Sequence, residues 1–305
     1  MKKAIIILLV IVAACFLCAN LNYIMSIIDA MQGGALIPLV IACIIMVARH
    51  VVQAMSYNEA FGAVGQKTGL WHNIVLIFSL VFINTFCLFS GATGVAFIID
   101  DAHRKGLDIG TSTSGAILSQ IGYFAAVFII SIIGFTTMLI AGTMNVVFLI
   151  GGLLLAGTLL VLVSFFLLGF YKPGWLVKVF RVVENAINKV IGIAKRHLPK
   201  NWGKATAQSF INSALVLAHN PKGAIITVFY AAASALLNMA CLIAIGVAFG
   251  FDNVAALVAA FSVAAIAVIL SPTPQGVGVV EAAIAAILTS AGCSLSVATA
   301  IALVY

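Results

Sequence analysis

One carboxylate in this chain stands inside an apolar run: Glu281, in Pro272-Thr273-Pro274-Gln275-Gly276-Val277-Gly278-Val279-Val280-Glu281. An ionised side chain at membrane depth costs on the order of 3 kcal/mol, so its default reading is functional. It is then a proton-coupling group or the partner of a cationic head group; the plain alternative is that it complements the start of its own helix. The prolines on either side of Thr273 each remove a backbone donor and disfavour helix in the preceding residue, so a helix must break there, and Gly276 and Gly278 suit the turn. A second break is written at Ser90-Gly91-Ala92-Thr93-Gly94. Half-helices restarting near Val95 and Val277 would aim backbone N–H groups inward and favour an anionic group such as a lipid phosphate. Asn84 and Thr85 precede the first break and either line a cavity or bond a neighbouring helix, and Asn238 has the same two readings. Asp100, Asp101, His103, Arg104 and Lys105 follow it, as a head-group gate or as a solvated loop of mixed charge. Arg49 and His50 are expected at the end of a span, as anchors reaching for the interface.

Other chemistries find little support. Cys15 and Cys18 have redox or zinc spacing but sit inside an apolar segment with no second pair nearby, and the six cysteines imply no disulfide framework. The five histidines, His50, His72, His103, His197 and His219, form no metal or triad pattern. No cofactor is implied.

The elements that must hold these residues are membrane helices. The chain is 64% hydrophobic and 8% charged, with a mean hydropathy of +1.25, far outside the range of water-soluble domains. Spans are expected near 4–21, 35–52, 116–141, 146–170 and 223–249, with an incomplete one at 296–305. The run after Met1-Lys2-Lys3 lacks a clear cleavage site and reads as a first helix rather than a signal peptide. Residues 172–222 carry Lys172, Lys178, Arg181, Lys189, Lys195, Arg196, Lys200, Lys204 and Lys222 against the single acid Glu184, which marks the stretch, like the N-terminus, as cytoplasmic. Five apolar segments separate these two inside regions, so one must fail to cross. The broken segment 72–101 is the candidate: if it dips in and returns, all fifteen basic residues fall inside. The second broken segment, 255–291, then enters from the outer face.

The expected fold is therefore all-α: a polytopic helical membrane protein, multi-pass in the cell membrane, with two re-entrant broken-helix hairpins in an inverted-repeat arrangement. Ser90–Val95 aligns with Pro274–Val279, followed by Gly106 and Asp108 in one copy and Gly292 and Ser294 in the other. Asp108 and Ser294 suit helix N-caps. Such repeats with discontinuous helices typify transporters, and irregular backbone at membrane depth requires a protein-lined or wet interior. Within 172–222, Leu176, Phe180, Val183, Ile187, Val190 and Ala194 recur at three- and four-residue spacing, which predicts amphipathic helices along the inner leaflet, broken around Pro199. The net charge of +7 points to anionic phospholipid rather than nucleic acid, and the stretch is too small for a catalytic domain.

Pro272 through Ala283, together with Phe82-Ile83-Asn84-Thr85-Phe86 and Gly94 through Asp101, resembles the lysylphosphatidylglycerol synthase transmembrane family, which includes the flippase half of the multiple peptide resistance factor. Gln275 departs from the pattern, where a glycine is usual. The resemblance implies translocation of aminoacylated phosphatidylglycerol or a related lipid, with a role in resistance to cationic antimicrobial peptides. The candidate substrate contacts are Glu281, Pro274, Gly276, Gly278, Asn84, Gly91, Gly94, Asp100, Asp101 and Arg104. In full-length relatives a separate C-terminal domain transfers lysine from transfer RNA; that domain is not expected here. Two other readings stand beside this one: a phosphatidylglycerol lysyltransferase acting only with a separate catalytic domain, and a scaffold recruiting a soluble synthase. The segment 296–305 would reach only about 15 Å as helix, so a parent chain is expected to continue beyond Tyr305.

Overall fold

The computed structural model describes residues 32–86, 97–98, 100–102, 104–140, 142, 146–191, 201–218, 220–271 and 273–305. Among these residues the chain is built of helices without strands: α1 Leu36–Ala63, α2 Leu70–Phe86, α3 Ile109–Ile140, α4 Val146–Tyr171, α5 Pro173–Ile191, α6 Trp202–Ala218, α7 Pro221–Ala248, α8 Val254–Leu270, α9 Val279–Ser290 and α10 Leu295–Val304. A short 3-10 turn, Pro274–Gly276, separates α8 from α9. Four helices are long and apolar enough to cross a bilayer: α1, α3, α4 and α7. The span expected over 4–21, the break at Ser90–Gly94 with Gly91 and Gly94, and the residues around Pro199 lie outside the described residues.

Two helices run further than the apolar segments suggested. The span expected over 35–52 continues to Ala63, and the one expected from 116 begins at Ile109. Their extra turns carry polar residues, Gln53, Ser56 and Ser112, that read as loop in sequence but find partners inside the bundle. Gln53 Nε2 donates to Ser119 Oγ at 3.1 Å, Ser56 and Ser119 share a hydroxyl bond of 2.7 Å, and Ser112 Oγ donates to Gln66 Oε1 at 2.6 Å. Satisfied across helices, these groups no longer call for water.

α1 and α7, each 28 residues long, run antiparallel and form the tightest helix pair. Their bonds recur every seven residues. Ala35 N–H donates to Ala248 O at 2.8 Å, Cys241 Sγ to Ala42 O at 3.6 Å, Ser234 Oγ to Arg49 O at 3.3 Å and Ser56 Oγ to Thr227 O at 3.0 Å. Small side chains let the backbones close in, and a seven-residue repeat keeps one face of each helix on the seam. α3 is the spine, touching α1, α4, α6, α7 and α8. A methyl added at Gly122 would stand 2.8 Å from Ala231 Cβ and 2.9 Å from the Val228 Cα, so the α3–α7 crossing depends on the bare backbone there.

The largest core gathers Leu242, Leu257, Phe261, Ile284, Leu288 and Ile301 from α7 to α10. Outside it, Leu36, Ile37, Leu160, Phe229 and Leu139 are exposed, as befits a surface facing hydrocarbon. The apolar stripe of α5 was expected to lie on the leaflet. Its first half instead packs inward: Leu176 and Phe180 meet Ala207, Phe210 and Ile211 of α6 and Phe165 of α4. Glu184, the lone acid of the basic stretch, accepts from Gly203 N–H at 3.0 Å and so joins α5 to the first turn of α6.

Candidate functional site

The second break is a bonded loop rather than a gap. α8 ends at Ser271, where the backbone turns extended (φ −73°, ψ 134°). Thr273 Oγ1 donates to Val277 O at 2.8 Å, and the Ser271 hydroxyl, which accepts from Thr273 N–H at 3.1 Å, donates to Thr273 Oγ1 at 2.7 Å. These bonds stand in for the ladder that the prolines interrupt. Pro274 and Gly276 lie in the 3-10 turn and Gly278 is the N-cap of α9, with φ of +82° at Gly276 and +86° at Gly278. Gln275 also sits at positive φ (52°), in the left-handed region that glycine occupies without strain.

Glu281 is at the third position of α9, half-buried, and its Oε2 accepts from Gly278 N–H at 2.6 Å. The capping role foreseen as the plain alternative is thus present in the geometry. From the same loop, Gln275 Nε2 reaches to 3.5 Å from Val81 O of α2. Asn84 is one turn further along α2, and its buried Oδ1 meets no donor among the described residues. The turn at Pro274–Gly276 therefore lies against the last turns of α2.

Asp100, Asp101 and Arg104 are elsewhere. His72 Nε2 and Asp101 Oδ2 pair at 2.8 Å, both sides about one-fifth exposed, so Asp101 lies beside the first turn of α2. Gln66 donates to Asp108 O at 2.9 Å. Asp100 and Arg104 form an exposed pair at 2.6 Å on one helical turn. Nine residues of helix from His72 to Val81 put this base roughly 14 Å from the loop at Gln275. Asp108 caps α3 through Thr111 N–H at 2.8 Å and its other oxygen accepts from Ser209 of α6, as expected of an N-cap, and Ser294 caps α10. The open pocket beside it, lined by Gly106, Asp108, Gly110, Trp202 and Ser209, holds a carboxylate already used in this way.

A third polar group was not foreseen at its true depth. Arg49 and His50, expected at a helix end, lie midway along α1, about 20 Å from either terminus at 1.5 Å per residue. His50 Nδ1 lies 2.8 Å from Met46 O, which only accepts; Nδ1 therefore carries the proton and Nε2 is the acceptor for Arg49 Nη1 at 3.1 Å. The His50 ring also stacks on Phe78 of α2, with centroids 5.4 Å apart. Asn238 donates to the Tyr123 hydroxyl at 3.2 Å and also bonds the Tyr305 side chain. The signal was in the sequence: Ala35, Ala42, Ser56 and Ala63 form a seven-residue series of small residues, and Arg49 occupies the one place in it that is not small.

Among the described residues no three His, Cys, Asp or Glu side chains come together as a metal site. No curated protein and no solved structure matches the chain. The family described as the lysylphosphatidylglycerol synthase TM region matches residues 4–305, a span that takes in the broken helix, its capping glutamate and the four membrane-length helices, and the chain belongs to that family.

Proposed function

We propose that this chain moves a phospholipid, phosphatidylglycerol or its aminoacylated form, between the leaflets of the cell membrane, through a polar interior framed by two re-entrant hairpins of opposite orientation. The observation that carries the reading is the meeting of Gln275, in the break between α8 and α9, with α2 just before the first break. Irregular backbone at membrane depth is stable only inside protein or beside water, and the first break expected from the sequence after α2 would concentrate such backbone in one place.

Several correspondences support the inverted pairing. Leu36–Ala63 and Pro221–Ala248 have equal length and start 185 positions apart; Leu70–Phe86 and Val254–Leu270, also equal, start 184 apart; Ile109 and Leu295 start 186 apart. The helix ends repeat as well. Val64 (φ −94°, ψ 12°) precedes Gly65, with Gln66 N–H donating to Phe61 O at 2.8 Å, while Phe249 (φ −98°, ψ 15°) precedes Gly250, with Phe251 N–H donating to Gly246 O at 2.9 Å. Since α1 and α7 are antiparallel, units built on them point in opposite directions. The closed base of the first hairpin, at His72 and Asp101, keeps both its ends on one side, with Lys67, Arg104 and Lys105. The fourteen basic residues other than Arg49 then lie on the cytoplasmic side with the N-terminus. The exposed face of α5, with Trp175, Lys178 and Arg181, suits anionic lipid on that side. Carrying an aminoacylated, cationic lipid outward would make the cell surface less attractive to cationic antimicrobial peptides.

The test is reconstitution of the full chain into phosphatidylcholine vesicles containing a little labelled phosphatidylglycerol or its lysyl ester, with outer-leaflet exposure followed by quenching. Glu281→Gln and Pro274→Ala should each abolish the protein-dependent exposure while the protein remains monodisperse. Unchanged exposure in both variants would overturn the proposal.

A further inference from the structure

We infer that Arg49 is the anion-recognition residue of this protein, binding the phosphate of a lipid head group at mid-membrane; the inference rests on the lipid-transport reading above. A guanidinium stays charged in any protein environment, and in the middle of a membrane helix it calls for a counter-charge. The described residues supply none. Seven of the eight acids lie among them, and the ion pairs they form are His72–Asp101 and Arg104–Asp100. The Arg49 Nε is buried and meets no acceptor among the described residues, and Nη1 is directed at the Met46 sulfur at 3.9 Å and at the His50 ring nitrogen at 3.1 Å. Because His50 holds its single proton on the Met46 side, it is a neutral partner and cancels no charge. The fork of Arg49 is thus held in place by weak, uncharged contacts, an arrangement that a phosphate would complete with two parallel charge-assisted bonds.

The surroundings fit the same ligand. Asn238, one turn along α7 from the Ser234 that contacts Arg49, donates to the Tyr123 hydroxyl at 3.2 Å, so uncharged donors and acceptors lie along the same seam. Position points the same way. The shift of 185 residues that carries α1 onto α7 carries Arg49 onto Ser234, and these two are in contact: Ser234 Oγ donates to Arg49 O at 3.3 Å. The same shift carries the Ala42–Cys241 contact onto the Thr227–Ser56 contact. The axis relating the two units therefore passes beside Arg49, and a ligand held there is equally far from both faces. It stands where an alternating-access site has to be. His50 adds a link to the hairpins through its stacking on Phe78, one turn before Val81.

The experiment is thermal unfolding of the delipidated full chain in an uncharged detergent, with three additives in parallel: dihexanoyl phosphatidylglycerol, inorganic phosphate and uncharged dihexanoylglycerol. Wild type should be stabilised by the phospholipid and not by the diacylglycerol. Arg49→Gln should need at least tenfold more phospholipid for the same shift, with Arg49→Lys intermediate because the charge remains and the fork is lost. Stabilisation by inorganic phosphate to the same extent would assign the site to the free anion rather than the lipid and overturn the head-group assignment. Equal phospholipid dependence in wild type and Arg49→Gln overturns the inference altogether. Should Arg49→Gln fail to fold, the Arg49→Lys titration carries the test, and an unshifted midpoint there has the same meaning. Binding without translocation would sink the transport reading while leaving Arg49 in place; translocation indifferent to Arg49→Gln would do the reverse.

Discussion

Gly278→Ala should lower the stability of the chain by about 2 kcal/mol, although the new methyl would touch nothing. The space around an added Cβ is empty to 4 Å, so the whole effect is backbone strain. The residue stands at φ 86°, ψ −39°, a region near the rare γ-turn conformation where a side chain costs roughly 1–3 kcal/mol. Gly276→Ala adds a collision to a similar strain, because its Cβ would fall 2.5 Å from Val280 Cγ2, the arm of a stiff β-branched side chain. Overpacking of this kind costs about 1–3 kcal/mol more, so the second variant should lose about 4 kcal/mol. Gln275→Gly works the other way: at φ 52° glycine relieves roughly 1 kcal/mol, offset in part by the freedom it returns to the unfolded chain. Thermal melts of detergent-purified protein, at about 2 °C per kcal/mol for a chain of this size, should drop by about 4 °C for Gly278→Ala and about 8 °C for Gly276→Ala. Gln275→Gly should melt at or slightly above wild type. A Gly278→Ala protein that melts with wild type, or below Gly276→Ala, would refute the geometry assigned to the break.

Two further outcomes follow from the packing and the hairpin base. Gly122→Ala puts a methyl 2.8–2.9 Å from atoms of Ala231 and Val228, one of them a backbone Cα that cannot rotate away, and should cost about 1–3 kcal/mol in the same melt. Single cysteines at Gly69 and Lys105, in a background cleared of the six native ones, should react with an impermeant maleimide from the same side of the membrane; labelling from opposite sides would rule out a hairpin closed by His72 and Asp101.

What could be read directly from the sequence was written in residues that act alone. Two prolines around Thr273 break a helix wherever they stand, and the capping chemistry of Asp108, Ser294 and Glu281 depends on three or four neighbours. Helix ends were harder, because counting apolar residues stops at the first polar group. Gln53, Ser56 and Ser119 satisfy one another between α1 and α3, a fact of tertiary pairing that no local window contains. The same error put Arg49 at a helix end and hid its depth. The glycine-like conformation at Gln275 was likewise legible only as a departure from the family's usual residue, since nothing in the side chain of glutamine announces a left-handed backbone.

The α1–α7 seam has a mechanical consequence. Every bond across it that begins on a side chain ends on a carbonyl of the facing helix, and carbonyls have a second lone pair for their own ladder. A hydroxyl that lets go can turn to a carbonyl one turn back on its own helix, as Thr227 already does with Gly223 O at 2.8 Å. Sliding along the seam thus strands no side-chain hydroxyl, and its small side chains leave few interlocked knobs to be dragged past one another. The two 28-residue helices α1 and α7 meet along a plane on which one can slide past the other.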